Sequence, residues 1–141
     1  MSSTEPQPLK LGLTDVQYGA RWRPLVEAEC ADAATHVRRR RAELDHLAET
    51  TDIEGRDDEH DPDGATAAFS HSMTVGLLAT AQRRLDEADA ARCRLDAGTY
   101  GRCATCNGAI TDERLVALPT ARECVSCAAN VRPARPLRRH R

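Results

Sequence analysis

Cys103-Ala-Thr-Cys106 and Cys124-Val-Ser-Cys127 place four thiols in the pattern C-x2-C-x17-C-x2-C. Each C-x2-C pair on a tight turn aims two thiolates at one point, and two such turns complete a tetrahedron around Zn²⁺. With sulfur at all four positions, no place remains for a catalytic water. The spacing therefore predicts one structural Zn²⁺ rather than a reaction centre.

The same cysteines could form two disulfides in an exported protein, or a redox dithiol. The first residues, Met1-Ser2-Ser3-Thr4-Glu5-Pro6, show no basic start, apolar run or cleavage site, so nothing in them directs export. A thioredoxin-like site needs one C-x-x-C beside a βαβ pattern, and this chain has two pairs and no such pattern. A reducing cytoplasm fits all six cysteines. Cys30 and Cys93 stand alone in helical patterns and read as small buried residues.

The elements that must hold these thiols are mainly helical. The chain has 141 residues, 30% of them charged and 3% aromatic. That balance suits long exposed helices rather than a large packed core. No apolar run approaches a membrane span. The formal net charge of −2 hides segregation. Residues 49–63 hold eight acids against one Arg, whereas 131–141 hold five Arg and no acid. A uniformly basic nucleic-acid binder would not be built this way.

Residues 1–14 read as a flexible leader, and the helical pattern opens after Thr14-Asp15, with Gly19 and Pro24 making the entry irregular. From about Trp22 to Thr51, the residues Val26, Cys30, Ala33, Val37, Arg40, Leu44, Leu47 and Thr51 step by four and three, a heptad seam. A second helix, about Ala65 to Ala97, carries Leu78, Ala81, Leu85, Ala88, Arg92 and Leu95 on a similar seam and ends at Gly98, a C-cap residue. Two helices of roughly 30 residues would each be about 45 Å long. Gly55, Pro62 and Gly64 fall between them. The pattern predicts an antiparallel hairpin over 15–99 with an acidic tip at about 52–64, then a zinc module over 100–130 and a basic disordered tail over 131–141. A parallel homodimeric coiled coil is the alternative use of the same seams. The fold class expected is mostly α: a long coiled-coil hairpin followed by a small four-Cys finger. Arg102, Arg114 and Arg122 are candidates to offset the −2 charge of a Zn²⁺ with four thiolates.

The stretch from Tyr100 to Cys127 resembles the DksA/TraR zinc finger. The likeness rests on Tyr100-Gly101, both cysteine pairs, Ile110, and Arg114-Leu115-x-Ala117-x-Pro119-x-Ala121. One departure is Asn107, where the family commonly carries Gly; Asn tolerates the left-handed conformation, so the turn should survive. The resemblance implies a non-enzymatic, cytoplasmic, bacterial-type regulator. Such a protein binds RNA polymerase, inserts its hairpin into the secondary channel, and in some members acts with ppGpp. It implies no sequence-specific DNA reading. The family's tip motif is Asp-x-x-Asp-x-Ala. Asp63-Gly64-Ala65 matches its second half, His60 stands where the first Asp belongs, and Asp61 is displaced by one residue.

A polymerase active site holds Mg²⁺ and phosphate-binding cations, so carboxylates delivered there would interact strongly. Asp61 and Asp63 lead among the candidates, with Ala65 completing the motif and Asp57, Asp58 and Glu59 steering at longer range. Acidic loops are also commonly just solvated. Arg38 to Arg41 spread around a helix and do not form one patch; His36, His46 and His71 read as surface or seam residues. Two other functions fit parts of the chain: a zinc finger whose Arg-rich tail contacts nucleic acid, and a coiled-coil adaptor with a zinc cap. No nucleophile–base pair, phosphate loop or open metal site suggests an enzyme.

Overall fold

The computed structural model describes residues 15–54 and 62–130. Four helices follow in order: α1 (Asp15–Glu54), α2 (Pro62–Asp96), α3 (Asp112–Ala117) and α4 (Val125–Ala129). The leader 1–14, part of the tip at 55–61 and the basic tail 131–141 lie outside the described residues.

α1 and α2 pack as an antiparallel hairpin. Arg23 of α1 pairs with Asp96 of α2 at 2.8 Å, whereas Glu29 and Asp32, further along α1, meet Arg84, further back along α2. Numbers rise on one helix as they fall on the other. The chain reverses on itself, so its seams are paired internally.

Both helices are longer than the expected 30 residues. α1 has 40 and α2 has 35, or about 60 and 52 Å at 1.5 Å per residue. α1 runs through Gly19 and Pro24 without a break. Pro24 removes one N–H, but Pro24 and Ala20 both face solvent, where water takes the carbonyl that proline cannot bond. Pro62 does not separate the helices either. It stands at the first position of α2, where its missing N–H costs nothing and its fixed φ suits the helix.

The seam follows the expected positions at Val26, Cys30, Ala33 and Val37 and extends back through Trp22 and Tyr18, all buried. Leu44 and Leu47 are half-buried. On α2, Thr74, Ala81, Ala88 and Leu95 are buried, with Leu78 and Leu85 half-buried. Arg92 corrects the heptad reading: it is exposed, and Ala91 takes the inward place. A straight helix drifts against a strict seven-residue repeat, and near the hairpin base that drift brings position 91 inward. Cys93, expected to be buried, is exposed for the same reason; Cys30 is buried.

The core is small and sits at the base. Tyr18, Trp22, Val26, Cys30, Ala88, Ala91 and Leu95 form one cluster with Tyr100, Cys103, Ile110, Leu115 and Ala121 of the C-terminal module. Three of the chain's four aromatic side chains are spent here. Trp22 lies 6.2 Å, centroid to centroid, from both Tyr18 and Tyr100. The hairpin and the module therefore share one interior.

Candidate metal centre

The module begins with a helix stop. Gly98 takes φ 69°; its N–H donates to the Leu95 carbonyl at 3.2 Å, and the Thr99 N–H donates to the Arg94 carbonyl at 2.9 Å. These are the two bonds of a Schellman motif, which needs a residue without a Cβ penalty at that point. The chain leaves α2 in a set direction and delivers Tyr100 into the core.

Gly101 follows with φ 81°, and a Cβ there would lie 2.7 Å from the Tyr18 hydroxyl oxygen. Backbone conformation and close approach both require glycine. A single antiparallel bridge pairs Arg102 with Ala109. Inside it, the Cys103 N–H donates to the Gly108 carbonyl at 2.8 Å and the Asn107 N–H to the Cys103 carbonyl at 2.9 Å. Asn107 adopts φ 58°, the left-handed conformation expected for the residue after the second cysteine.

The second pair is mounted differently. α3, with Leu115 fully buried, returns the chain through Pro119. The Tyr100 hydroxyl donates to the Pro119 carbonyl at 2.8 Å. Cys124 stands at the N-cap position of α4 and Cys127 lies within its first turn. The two halves are tied together where the Ala104 N–H donates to the Arg122 carbonyl at 2.8 Å and the Thr105 hydroxyl to Glu123.

The four sulfurs, Cys103, Cys106, Cys124 and Cys127, all lie within 4.8 Å of one another. Sγ of Cys106 and Sγ of Cys124 are 3.9 Å apart. A Zn–S bond of about 2.3 Å in a tetrahedron places sulfurs about 3.8 Å apart. The donor set and its dimensions thus fit one Zn²⁺ as a closed structural site. Burial pushes the Cys103 thiol up, but the backbone amides of Cys106, Cys124 and Thr105 outweigh it and draw Cys103 down to about 6. Hydrogen bonding to the Cys124 and Cys106 sulfurs, with burial, pushes Cys127 up to about 12. Cys103, Cys106, Cys124 and Cys127 would hold Zn²⁺ as thiolates, so binding would release their protons and add to folding stability.

The arginines act mostly on carbonyls. Arg114 Nε donates to the Glu123 carbonyl at 2.7 Å, holding the loop that precedes Cys124. Arg102 and Arg122 are exposed. Arg94 has a structural role that its sequence context does not announce. Its Nη2 reaches from the last turn of α2 to the carbonyls of Thr120 and Ala121, at 3.1 and 3.3 Å. Burial, with help from the neighbouring Arg122 charge, holds its pKa below the usual guanidinium value. Its only sequence signal is its place as the sole basic residue of that last turn. Arg21 adds a third tie, 3.0 Å from Asp112 of α3.

At the opposite end of the hairpin, Asp63 and Ala65 fall in the first turn of α2, and Ala65 is exposed. Asp57, Asp58, Glu59 and Asp61 lie outside the described residues. Sequence therefore remains the basis for the acidic tip.

Residues 98–130 match the family described as the prokaryotic dksA/traR C4-type zinc finger. Among solved structures, that of transcription factor DksA2 from Pseudomonas aeruginosa is similar, with a TM-score of 0.66 and 24% sequence identity. The similarity covers 79% of this chain and 80% of that one. No curated protein sequence matches the chain. Residues 98–130 thus match the dksA/traR type of finger, and the chain shares the DksA2 fold over 79% of its length.

Proposed function

We propose that this chain is a non-enzymatic regulator of transcription that binds RNA polymerase and inserts its hairpin into the secondary channel. One observation carries the reading. A rod of two helices is fastened at its base to a zinc finger through a common core, and the helix ends away from that base carry Glu49, Asp52, Glu54 and Asp63 in sequence. A globular domain could not enter a narrow passage; a two-helix rod can.

The finger and the shared core keep the base rigid, so the tip's position follows from the docking of the base. Asp63 leads in the tip role. A carboxylate there gains from the N-terminal end of the α2 dipole and would meet the metal ions and cations of a nucleotide-polymerising centre. Asp61 joins it, with Asp57, Asp58 and Glu59 adding a long-range field that is screened beyond about 8 Å at physiological salt. The setting is the cytoplasm. No described helix is long and apolar enough to cross a membrane.

The test is purified RNA polymerase with in-vitro transcription, with and without ppGpp, and a known secondary-channel occupant as competitor. The chain should bind and be displaced by the competitor. Asp63→Asn should lose most of the transcriptional effect while keeping its affinity. Failure to bind, or binding indifferent to the competitor, overturns the assignment.

A further inference from the structure

The distal half of α2 has a surface that the hairpin does not use. From Gly64 to Gln82, 19 consecutive residues include no Asp, Glu, Lys or Arg, in a chain that is 30% charged. Phe69, Met73 and Leu77 recur every four residues and are 69%, 59% and 38% exposed. At that spacing they form one stripe on the helix. The seam residues Thr74 and Ala81 are buried, so the stripe lies beside the seam and not in it.

Gly76 falls on the same stripe. A Cβ built there meets nothing within 4 Å, so the hairpin's own packing does not call for glycine. Glycine inside a helix is disfavoured against alanine. Its use here leaves a notch between Met73 and Leu77 through which another surface can approach the backbone.

We infer that Phe69, Met73, Gly76 and Leu77 form a docking face for an uncharged, apolar protein surface, and that this surface belongs to the polymerase that receives the tip. The second part rests on the function proposed above. Burying this face desolvates no charge, which favours a protein partner. Nucleic acid would require cations within the face itself, and residues 64–82 carry no Lys or Arg. A second copy is a poor occupant. The stripe presents roughly 300–400 Å², so two copies face to face would fall short of the roughly 1,000 Å² that a stable association needs. The face suits a supplementary contact in a larger interface. It begins six residues after Asp63 on the same helix, so a protein that surrounds the tip also passes over it.

Two variants of the full zinc-loaded chain test this from opposite directions. Gly76→Leu fills the notch, and the double variant Phe69→Gln, Met73→Gln removes the apolar surface. Circular dichroism should show Gly76→Leu melting a few degrees above the parent and the double variant within a few degrees of it. Both should bind purified RNA polymerase at least tenfold more weakly than the parent. Parent-like binding by both variants overturns the docking face while leaving the proposed function standing. A parent that does not bind polymerase at all removes that function and the occupant together. Sedimentation that shows a parental dimer dissolved by either variant reassigns the face to a second copy and also overturns the inference.

Discussion

Arg84 of α2 grips Glu29 of α1 with two parallel bonds, Nε to Oε1 at 2.7 Å and Nη2 to Oε2 at 3.1 Å. The same Nη2 also reaches Asp32 at 2.7 Å. A fork-to-fork pair tolerates little sliding, and it sits where the seam is built from alanines that specify register poorly. Arg84→Ala should lower stability by about 1 kcal/mol, and a double-mutant cycle with Glu29→Ala should give a coupling of about 0.5–1 kcal/mol. The pair is partly exposed, so raising salt should shrink that coupling; denaturant melts at two salt concentrations would show it.

Two turn residues should differ in what they tolerate. Gly101→Ala must place a methyl against Tyr18 at a positive φ and should cost about 2 kcal/mol or more. Asn107 already holds φ 58°, so Asn107→Gly should be close to neutral, whereas Asn107→Val should cost about 1–2 kcal/mol. Thermal melts of the three variants, each zinc-loaded, would rank them.

Zinc removal should loosen the finger and the hairpin base together, because one core serves both. Trp22, the chain's single tryptophan, is buried in that core and reports on it directly. Chelation should shift Trp22 emission to longer wavelength and lower the melting temperature by roughly 10 °C or more, while much of the helical signal survives. Cys124→Ser should bring the zinc content below one ion per chain and reproduce both changes; full zinc content in that variant would refute the ligand set.

Alkaline pH supplies a further check. Burial, reinforced by the nearby Tyr18, pushes the Tyr100 hydroxyl up to about 12, against about 10 in an unfolded chain. Because the folded value is the higher one, the unfolded state loses its proton first. The contribution is complete below about pH 10 and is lost as pH rises toward 12. Tyr100→Phe should be less stable near neutrality by about 1 kcal/mol, through the lost bond to Pro119. Its decline between pH 10 and 12 should be shallower than the parent's, as followed by denaturant midpoints.

Much of this protein was legible in its residues because the relevant constraints are local. The C-x2-C pairs state their own geometry, Gly98 and Asn107 mark left-handed positions, and Val26, Cys30, Ala33 and Val37 show their seam by spacing. Propensity and a strict seven-residue repeat misplace Pro24, Pro62, Arg92 and Cys93 for one reason. In the fold, what matters is whether each faces solvent, a helix start or a partner.

The residues alone determined a four-sulfur site, two long helices, and a chain with an acid-rich stretch at 49–63 and an arginine-rich one at 131–141. Tertiary structure decided that the helices reverse against each other and that Tyr18, Trp22 and Tyr100 fuse the hairpin to the finger. It also decided that Arg94 braces the return loop from a distant helix, and that Phe69, Met73 and Leu77 stay outside. Those outcomes depend on contacts between residues far apart in sequence. Spacing along one helix says which side chains share a face; it does not say what that face meets.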